Sequence, residues 1–319
     1  MGVGGGVVVG VDVGGTKVLA AVVEGDRVVR TARRATPGRR VEARHVEDAV
    51  VAAVQEAADG QPVAAVGVAA AGLVSADRRR VVFAPHLPWR GEDVVALLCD
   101  RLGTTVVLDN DADAAAYGEA RFGAARGADP ALVVNLGTGI GGAVLVGGRL
   151  LRGLNGMAGE FGHVRVVPDG RPCECGSAGC WEQYASGNAL VREARERLGA
   201  GPTVLDELCG GQPALLTGPM VTAAAEEGDL VALAAFEAVG RWLGAGLADL
   251  VAGLDPAVVV IGGGVSAAGE RLLEPARREL ARVVLGGPHR VLPPVRAAVL
   301  GPEAGVVGAA ALAADALRR

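Results

Sequence analysis

One histidine and three cysteines that lie close together in the sequence have the residue types of a zinc site. They are His163, Cys173, Cys175 and Cys180. Three thiolates and one imidazole hold tetrahedral Zn²⁺ well, and the glycines and the proline of this stretch permit the tight turns that the spacing requires. Because four protein ligands leave no open coordination position, we expect this zinc ion to be structural.

Two carboxylates flank the predicted zinc loop. Glu160 lies just before His163, and Glu182 lies just after Cys180. A loop that only binds a structural metal needs neither of them. Two interpretations are open at this point: the loop either stabilises the fold alone or also presents polar groups to a ligand.

Acidic and amide side chains are crowded where a predicted helix begins. Residues 106–123, VVLDNDADAAAYGEARFG, predict a strand, an acidic turn and a helix, with Asn110, Asp111 and Asp113 at the helix start. One of these side chains can cap the helix, which leaves the others unexplained at the carboxyl end of a strand. Because α/β sheets usually bind ligands at that edge, we predict a functional role for Asp111.

A glycine turn at residues 12–17, DVGGTK, joins two apolar runs and predicts a β-hairpin over residues 7–23. Its glycines let backbone amides approach an anion, and its side chains add a hydroxyl, a positive charge and a carboxylate for a metal ion. The residues concerned are Asp12, Gly14, Gly15, Thr16 and Lys17. An ordinary hairpin turn is the alternative, and a Walker P-loop is excluded because GxxxxGK[ST] is absent.

Two more glycine turns follow predicted strands. The first, with Gly137, Thr138 and Gly139, has the GxGxxG spacing of dinucleotide-binding folds, but a strand follows it where that fingerprint would open a helix. Residues 131–150 therefore predict a second hairpin, and the two hairpins indicate an internal duplication with one phosphate-contacting turn in each half.

The last glycine turn consists of Gly262, Gly263 and Gly264. It follows a buried strand predicted at 258–261 and precedes a helix predicted from Ser266 to Val284. A glycine-lined strand end that leads into a helix can hold a nucleotide or simply pack closely, and both interpretations are open.

The remaining pattern completes an α/β fold. Helical periodicity is present at 46–58, 92–102, 186–199 and 222–252, and 63–74 predicts a buried strand that runs into a turn at Gly72. The final residues, GVVGAAALAADALRR, predict an amphipathic helix that packs on the first half of the chain.

Composition excludes several classes of protein. The chain has 319 residues and a formal net charge of −5, whereas a general nucleic-acid-binding surface needs a basic face. The clustered cysteines are unlike a secreted disulfide framework. No apolar run approaches the roughly 20 residues that cross a bilayer, and the first residues lack the basic start of a signal peptide. We expect a cytoplasmic protein that binds neither nucleic acid nor membrane.

Six motifs, in order along nearly the whole chain, resemble those of the ROK family of bacterial sugar kinases. They are DVGGTK at Asp12, DNDAD at Asp109, LGTGIGG at Leu136, GEFGH at Gly159, the CEC and GCWEQYASG pieces, and VIGGGV at Val260. Within the family, FAPHLPW, RVVPDG and WEQYASG are most similar to the ATP-dependent glucokinases of actinobacteria.

The resemblance implies an actin-like ATPase fold of the hexokinase type, which is ribonuclease H-like, with ATP and sugar bound in the cleft between two α/β domains. We expect a small N-terminal domain at residues 1–113, joined by a C-terminal helix at 304–319. The large domain would span 114–303 and include the zinc-binding loop at 163–180.

The same resemblance implies roles for individual residues. Asp111 would be the general base that accepts the proton of the C6 hydroxyl of glucose. The other sugar contacts would come from Asn110, Glu160, His163 and Glu182, with Gly72 lining the pocket. Mg²⁺ would lie near Asp12. The phosphates of ATP would be contacted by two glycine turns, Gly14, Gly15, Thr16 and Lys17 in the first and Gly137, Thr138 and Gly139 in the second. The adenosine would be flanked by Gly262, Gly263 and Gly264.

One residue departs from the family pattern, and several alternatives stay open. Asp113 stands where related kinases often have asparagine, and an added negative charge there would raise the pKa of Asp111 or alter metal affinity. The acceptor would otherwise be fructose, mannose or N-acetylmannosamine, and polyphosphate is a less favoured donor than ATP.

A sugar-sensing regulator of the same fold is a further alternative. Such regulators add an N-terminal helix-turn-helix, for which the position of Asp12 leaves no room. Family members are commonly oligomers, so we expect a homodimer or homotetramer.

Overall fold

The computed structural model describes residues 5–199 and 201–318. Two five-stranded sheets and one two-stranded sheet contain its strands. The strands are β1 (Val7–Val13), β2 (Lys17–Glu24), β3 (Arg27–Ala35), β4 (Val63–Ala70), β5 (Leu73–Val74), β6 (Val81–Phe83), β7 (Thr105–Asn110), β8 (Ala131–Leu136), β9 (Ile140–Val146), β10 (Arg149–Leu150), β11 (Val258–Gly262) and β12 (Val295–Ala297).

Helices form at each of the segments whose pattern predicts them, and two four-residue helices add to these. They are α1 (Ala43–Ala58), α2 (Val94–Leu102), α3 (Asp111–Phe122), α4 (Glu182–Ala185), α5 (Gly187–Glu196), α6 (Leu205–Leu208), α7 (Gly218–Glu226), α8 (Leu230–Leu254), α9 (Glu270–Val283) and α10 (Ala304–Ala316). The helix predicted from Ser266 begins later, at Glu270, because a 3₁₀ turn ends at Gly269, whose left-handed φ of 58° interrupts the helix.

The two large sheets have the same strand order. The first runs β3-β2-β1-β4-β7 and the second β10-β9-β8-β11-β12, so each places a hairpin beside two strands that arrive later in the chain. β1, β4 and β7 are mutually parallel, as are β8, β11 and β12. The repeated order supports the internal duplication predicted from the two glycine-turn hairpins.

Central strands of both sheets are almost continuously apolar. β4 and β11 are buried along most or all of their length, because strands in the middle of a parallel sheet are covered on both faces. The turn between β9 and β10 contains Gly147 and Gly148 with φ of 58° and 69°, the left-handed pair that a tight type I′ hairpin requires. The GxGxxG glycines at residues 137–142 are therefore followed by a strand hairpin rather than by a helix, as predicted.

The C-terminal helix α10 packs closely on the first sheet. A Cβ atom at Gly10 would lie 1.9 Å from the Val306 carbonyl oxygen, and one at Gly67 would lie 1.9 Å from that of Ala309. On its other side, Gly308 faces α3 so closely that a Cβ there would lie 1.7 Å from the Ala114 carbonyl oxygen. The prediction of an amphipathic helix was wrong, because sheet and helix α3 together bury residues 306–313.

Residue contacts divide the chain into two compact units. Among the described residues, unit 1 contains those up to Ala128, the segment Ala143–Gly159 and those from Val299 onward, and unit 2 contains Asp129–Gly142 and Glu160–Ala298. These bounds differ from the predicted break after residue 113. That break would fall inside α3, which continues to Phe122 and packs along α10.

Helix α8 is long and apolar enough to cross a membrane by length and composition alone, although Glu237, Arg241 and Asp249 interrupt its apolar residues. Most of its apolar window, 61%, is buried. Gly240 and Gly244 admit α9 closely, with Pro275 and Ala276 in contact range of an added Cβ. The helix therefore has the surroundings of a core helix.

Candidate active site

Three predicted site segments follow neighbouring parallel strands of the first sheet. Val13 at the end of β1 pairs with Ala70 at the end of β4, and Ala70 pairs with Asn110 at the end of β7. The turn at 14–17, Gly72 and Asp111 come directly after these aligned ends. Unit 1 therefore brings them to one edge of its sheet, the edge at which α/β proteins usually bind ligands.

Asn110 is the residue that caps α3. Its Oδ1 accepts hydrogen bonds from the amides of Ala112, at 2.8 Å, and Asp113, at 3.1 Å, while its Nδ2 donates to the Gly72 carbonyl oxygen at 3.0 Å. Asp111 is the first residue of the helix and is partly exposed, and the helix N-terminus favours its negative charge. Because Asn110 supplies the cap, the position of Asp111 has no capping explanation.

Asp113 and Asp109 are both buried, and the charge of Asp109 acts on Asp113. Arg152 donates to both oxygens of Asp109, and Arg78 lies 3.7 Å from it. Burial and the charge of Asp109 raise the pKa of Asp113 to about 8. The raised pKa disfavours the negative charge that the sequence predicts beside Asp111.

Sequence reasoning missed both arginines. Arg152 lies in the segment between β10 and Glu160, far from Asp109 in sequence, and no motif singled it out. The available signal was the presence of three aspartates in DNDAD, since a buried group of carboxyl side chains requires a cation or a proton.

The first glycine turn joins β1 to β2. Asp12 lies at its start, and burial raises the pKa of this carboxyl while the nearby Lys17 lowers it. Thr16 and Lys17 are exposed, and Thr36 Oγ donates to the Gly14 carbonyl oxygen at 2.7 Å. At Gly15 a Cβ would lie 2.7 Å from that of His86, so glycine keeps the turn compact. The turn presents a hydroxyl, an ammonium group and exposed backbone.

The other two glycine turns lie together in unit 2. Gly262 at the end of β11 pairs with Asn135 near the end of β8, so both strand ends reach the same edge. Gly137, Thr138, Gly263 and Gly264 are exposed there. Glycine is required at 263, where φ is 82° and a Cβ would lie 2.3 Å from the Leu136 carbonyl oxygen. The turn therefore combines close packing at Gly263 with an exposed edge.

Glu182 connects the second glycine turn to the predicted zinc loop within unit 2. Its Oε2 lies 3.4 Å from the amide of Ile140 and would lie 2.3 Å from a Cβ at Gly139. Its Oε1 lies 3.6 Å from His163 Nδ1 and accepts from Cys173 Sγ at 3.2 Å. The three predicted sugar contacts Glu160, His163 and Glu182 interact electrostatically, and burial with the charge of Glu182 raises the pKa of Glu160 against the lowering effect of His163.

The four predicted metal ligands lie together. One ligand atom from each of His163, Cys173, Cys175 and Cys180 is within 4.8 Å of all the others. Two of these separations, Cys173 Sγ to His163 Nδ1 and Cys175 Sγ to Cys180 Sγ, are 3.6 Å. Tetrahedral zinc with Zn–S bonds of about 2.3 Å would separate its ligand atoms by about 3.8 Å, so this donor set fits Zn²⁺.

Backbone interactions define the loop that carries these ligands. Gly179 has φ of 78°, and a Cβ there would lie 1.7 Å from the Val167 carbonyl oxygen, so only glycine fits. Tyr184 Oη accepts from the amide of Arg171 at 2.8 Å, and Trp181 Nε1 donates to the Trp242 carbonyl oxygen at 2.8 Å. The loop is thus tied to helices α4 and α8, which places Glu182 next to the cysteines.

The chain has the actin-like ATPase fold that the motifs implied. The family model of the ROK family matches residues 8–316, and the chain belongs to this family.

Individual relatives match almost the full length. A glucokinase of Streptomyces coelicolor is 44% identical over 313 residues, which are 97% of this chain and 98% of that protein. A ROK family glucokinase from Streptomyces griseus, solved in complex with glucose and AMPPNP, is 48% identical with a TM-score of 0.89, covering 97% of this chain and all of that one. A ROK hexokinase from Thermus thermophilus is 35% identical, with a TM-score of 0.77 and coverage of 98% and 99%.

Proposed function

We propose that the protein is an ATP-dependent glucokinase, which transfers the γ-phosphoryl group of ATP to the C6 hydroxyl of glucose. The observation that carries the proposal is its likeness, over nearly the whole chain, to the glucokinase bound to glucose and an ATP analogue. The arrangement of polar groups in each unit suits both substrates, as the following paragraphs argue.

Asp111 is the proposed general base. As the C6 oxygen attacks the γ-phosphorus, its proton passes to the Asp111 carboxylate, the new P–O bond forms, and the bond between the γ-phosphorus and the ADP oxygen breaks. Asp111 is partly exposed at the start of α3, and the amide of Ala112 donates to its Oδ1 at 2.9 Å, which orients the carboxylate. Phosphoryl transfer asks the protein mainly for alignment and charge stabilisation, and a fixed carboxylate supplies the first.

Contacts to the other sugar hydroxyls are proposed for Asn110, Glu160, His163 and Glu182, with Gly72 lining the pocket. Asn110 and Gly72 are already joined by a hydrogen bond in unit 1, and Glu160, His163 and Glu182 form the group in unit 2. Sugar hydroxyls both donate and accept hydrogen bonds. Carboxylates, an amide and an imidazole therefore match them chemically.

ATP is the proposed donor. Its phosphates would be contacted by Gly14, Gly15, Thr16 and Lys17 of the first turn and by Gly137, Thr138 and Gly139 of the second, and its adenosine by Gly262, Gly263 and Gly264. Mg²⁺ would be held by the phosphates near Asp12 and would neutralise their charge. Lys17 is exposed at the turn, where an ammonium group can pair with a phosphate.

Zinc is the proposed occupant of the Cys/His cluster. The cluster uses His163 Nδ1, which leaves Nε2 on the opposite side of the ring for a sugar hydroxyl. Burial raises the pKa of Cys173 to about 12, so this thiol needs a cation to become a thiolate ligand. The proposed role of the site is to fix His163 and Glu182 for sugar binding.

Two properties follow from the proposal. The reaction requires ATP and free glucose, which we expect the protein to meet in the cytoplasm. Assembly into a homodimer or homotetramer stays a prediction.

A direct assay tests the function. Purified protein with ATP, Mg²⁺ and a panel of hexoses should form glucose 6-phosphate and ADP, with glucose giving the highest kcat/KM. Replacing Asp111 by alanine should lower kcat by about 10²- to 10⁴-fold, the usual contribution of a general base, with an unchanged circular dichroism spectrum. Asp100→Asn, at an exposed position of α2, is the matched control and should retain full activity. Unchanged turnover in Asp111→Ala would reject the assigned base.

A further inference from the structure

The FAPHLPW segment, residues 83–89, contributes no residue to the proposed site, yet it packs against two parts of it. A Cβ atom at Gly15, in the first glycine turn, would lie 2.7 Å from His86 Cβ and 3.2 Å from its Cγ. A Cβ atom at Gly72 would lie 2.8 Å from Ala84 Cβ. The segment therefore touches both the turn proposed for the phosphates of ATP and the glycine proposed to line the sugar pocket.

Packing and hydrogen bonds hold the backbone of this segment in place. Leu87 and Trp89 are both fully buried. The guanidinium group of Arg90 donates to the carbonyl oxygens of Ala84 and Leu87, both at 2.8 Å. It also donates to the carbonyl oxygen of Trp89 at 2.6 Å. Two prolines of the segment restrict φ on either side of His86, which therefore stands on a fixed backbone.

The imidazole of His86 is exposed, in contrast to the buried side chains around it. No described residue forms a hydrogen bond or an ion pair with its ring. Thr16 and Lys17 of the adjoining turn are exposed as well. An imidazole has at least one N–H donor whether it is neutral or protonated. An anion at this turn would thus meet a hydroxyl, an ammonium group and an imidazole.

We propose that His86 is a further substrate-binding residue, whose ring N–H donates a hydrogen bond to an oxygen of the γ-phosphoryl group of ATP. That group passes from nucleotide to sugar, so it must lie where the phosphate turn meets the sugar pocket. His86 belongs to the segment that packs on both Gly15 and Gly72, which places it at this junction. The donor would stabilise the negative charge of the transferred group.

The inference rests on the proposed glucokinase function for the identity of the nucleotide. The position and exposure of His86 do not depend on it. An experiment that measures nucleotide binding without turnover can therefore separate the two.

Calorimetric titration with two nucleotides tests the contact. His86→Ala removes the donor but keeps the Cβ atom that packs on Gly15, so the turn should stay intact. Its affinity for AMPPNP with Mg²⁺ should fall about 10- to 150-fold, the contribution of a hydrogen bond to a charged group. Its affinity for ADP with Mg²⁺ should be unchanged, because ADP has no γ-phosphoryl group. His289→Ala, which removes an exposed histidine before β12, is the matched control and should bind both nucleotides as the native protein does.

The outcomes distinguish the role of His86 from the function itself. An equal loss of affinity for AMPPNP and ADP in His86→Ala, or no loss for either, would overturn the proposal. A native protein that binds neither nucleotide would refute the proposed use of ATP as well.

Steady-state kinetics separate a phosphate contact from a sugar contact. In His86→Ala the kcat/KM for ATP should fall, while the KM for glucose stays unchanged. His86→Gln retains an N–H donor on a side chain of similar length and should recover part of the lost kcat/KM. A rise in the KM for glucose alone would place His86 in the sugar pocket and overturn the assignment to the γ-phosphoryl group, as would a His86→Gln variant no better than His86→Ala.

Discussion

Replacing Gly139 by alanine should weaken glucose binding by displacing a carboxylate rather than by unfolding the chain. The added Cβ would lie 2.3 Å from Glu182 Oε2, whereas carbon and oxygen atoms in contact need about 3.5 Å. The carboxylate would therefore move by about 1.2 Å. Because the clash involves the far end of a flexible side chain, and because φ at Gly139 is negative or extended, the fold should tolerate the change.

The size of the effect follows from the bond that Glu182 is proposed to make. A hydrogen bond to a charged group is worth about 1.5–3 kcal/mol, and a displacement of this size removes most of it. Since every 1.4 kcal/mol is a factor of ten, kcat/KM for glucose should fall about 10- to 150-fold, chiefly through KM.

The matched control is Gly137→Ala in the same turn. A Cβ there has no atom within 4 Å, so Glu182 stays in place and the KM for glucose should be unchanged, while the KM for ATP is free to rise. Steady-state kinetics with each substrate varied in turn would measure both. A KM for glucose that changes by less than twofold in Gly139→Ala would refute the coupling between this turn and Glu182.

Two further predictions concern the metal site and the core of unit 1. Removing the proposed zinc ion with a chelator, or replacing Cys175 by serine, should raise the KM for glucose in protein that remains folded by circular dichroism. An unchanged KM would mean that the loop only stabilises the fold. Glu119 is 1% exposed and accepts from the amides of Val299, Leu300 and Ala124 at 3.0, 2.8 and 2.7 Å. Glu119→Gln places an NH₂ donor against at least one of these amides. The free energy of unfolding, measured by urea titration, should therefore fall by about 1–3 kcal/mol. A variant as stable as the native protein would contradict this role of Glu119.

Local patterns predicted the parts of the fold that depend on neighbouring residues. The glycine turn at 14–15 and the strand that follows GxGxxG were both correct, because β-branched runs and glycine pairs act over a few residues. The helix expected at Ser266 began four residues later because the conformation of Gly269 is set by its surroundings. The terminal helix has no polar face in the structure since its neighbours, distant in sequence, cover it on both sides.

In the candidate site too, features that depend on nearby residues were predictable, and features that depend on distant residues were not. The clustering of Cys173, Cys175 and Cys180 was predictable because the three residues lie close together on one loop. The partner of Asp109 could not be read from the sequence, since Arg152 approaches it only through the fold. The raised pKa of Asp113 was not predictable for the same reason: it depends on burial and on the charge of Asp109, which the fold sets.

The close packing of α10 has a consequence for the order in which the protein is made. Val306, Val307 and Ala310 share an apolar cluster with Leu19 and Ala21 of β2. A ribosome synthesises β2 almost three hundred residues before it reaches α10, so one face of the first sheet exists without its cover during most of translation. Ribosome stalling late in the message would therefore expose an apolar surface that α10 otherwise covers, and such surfaces favour aggregation.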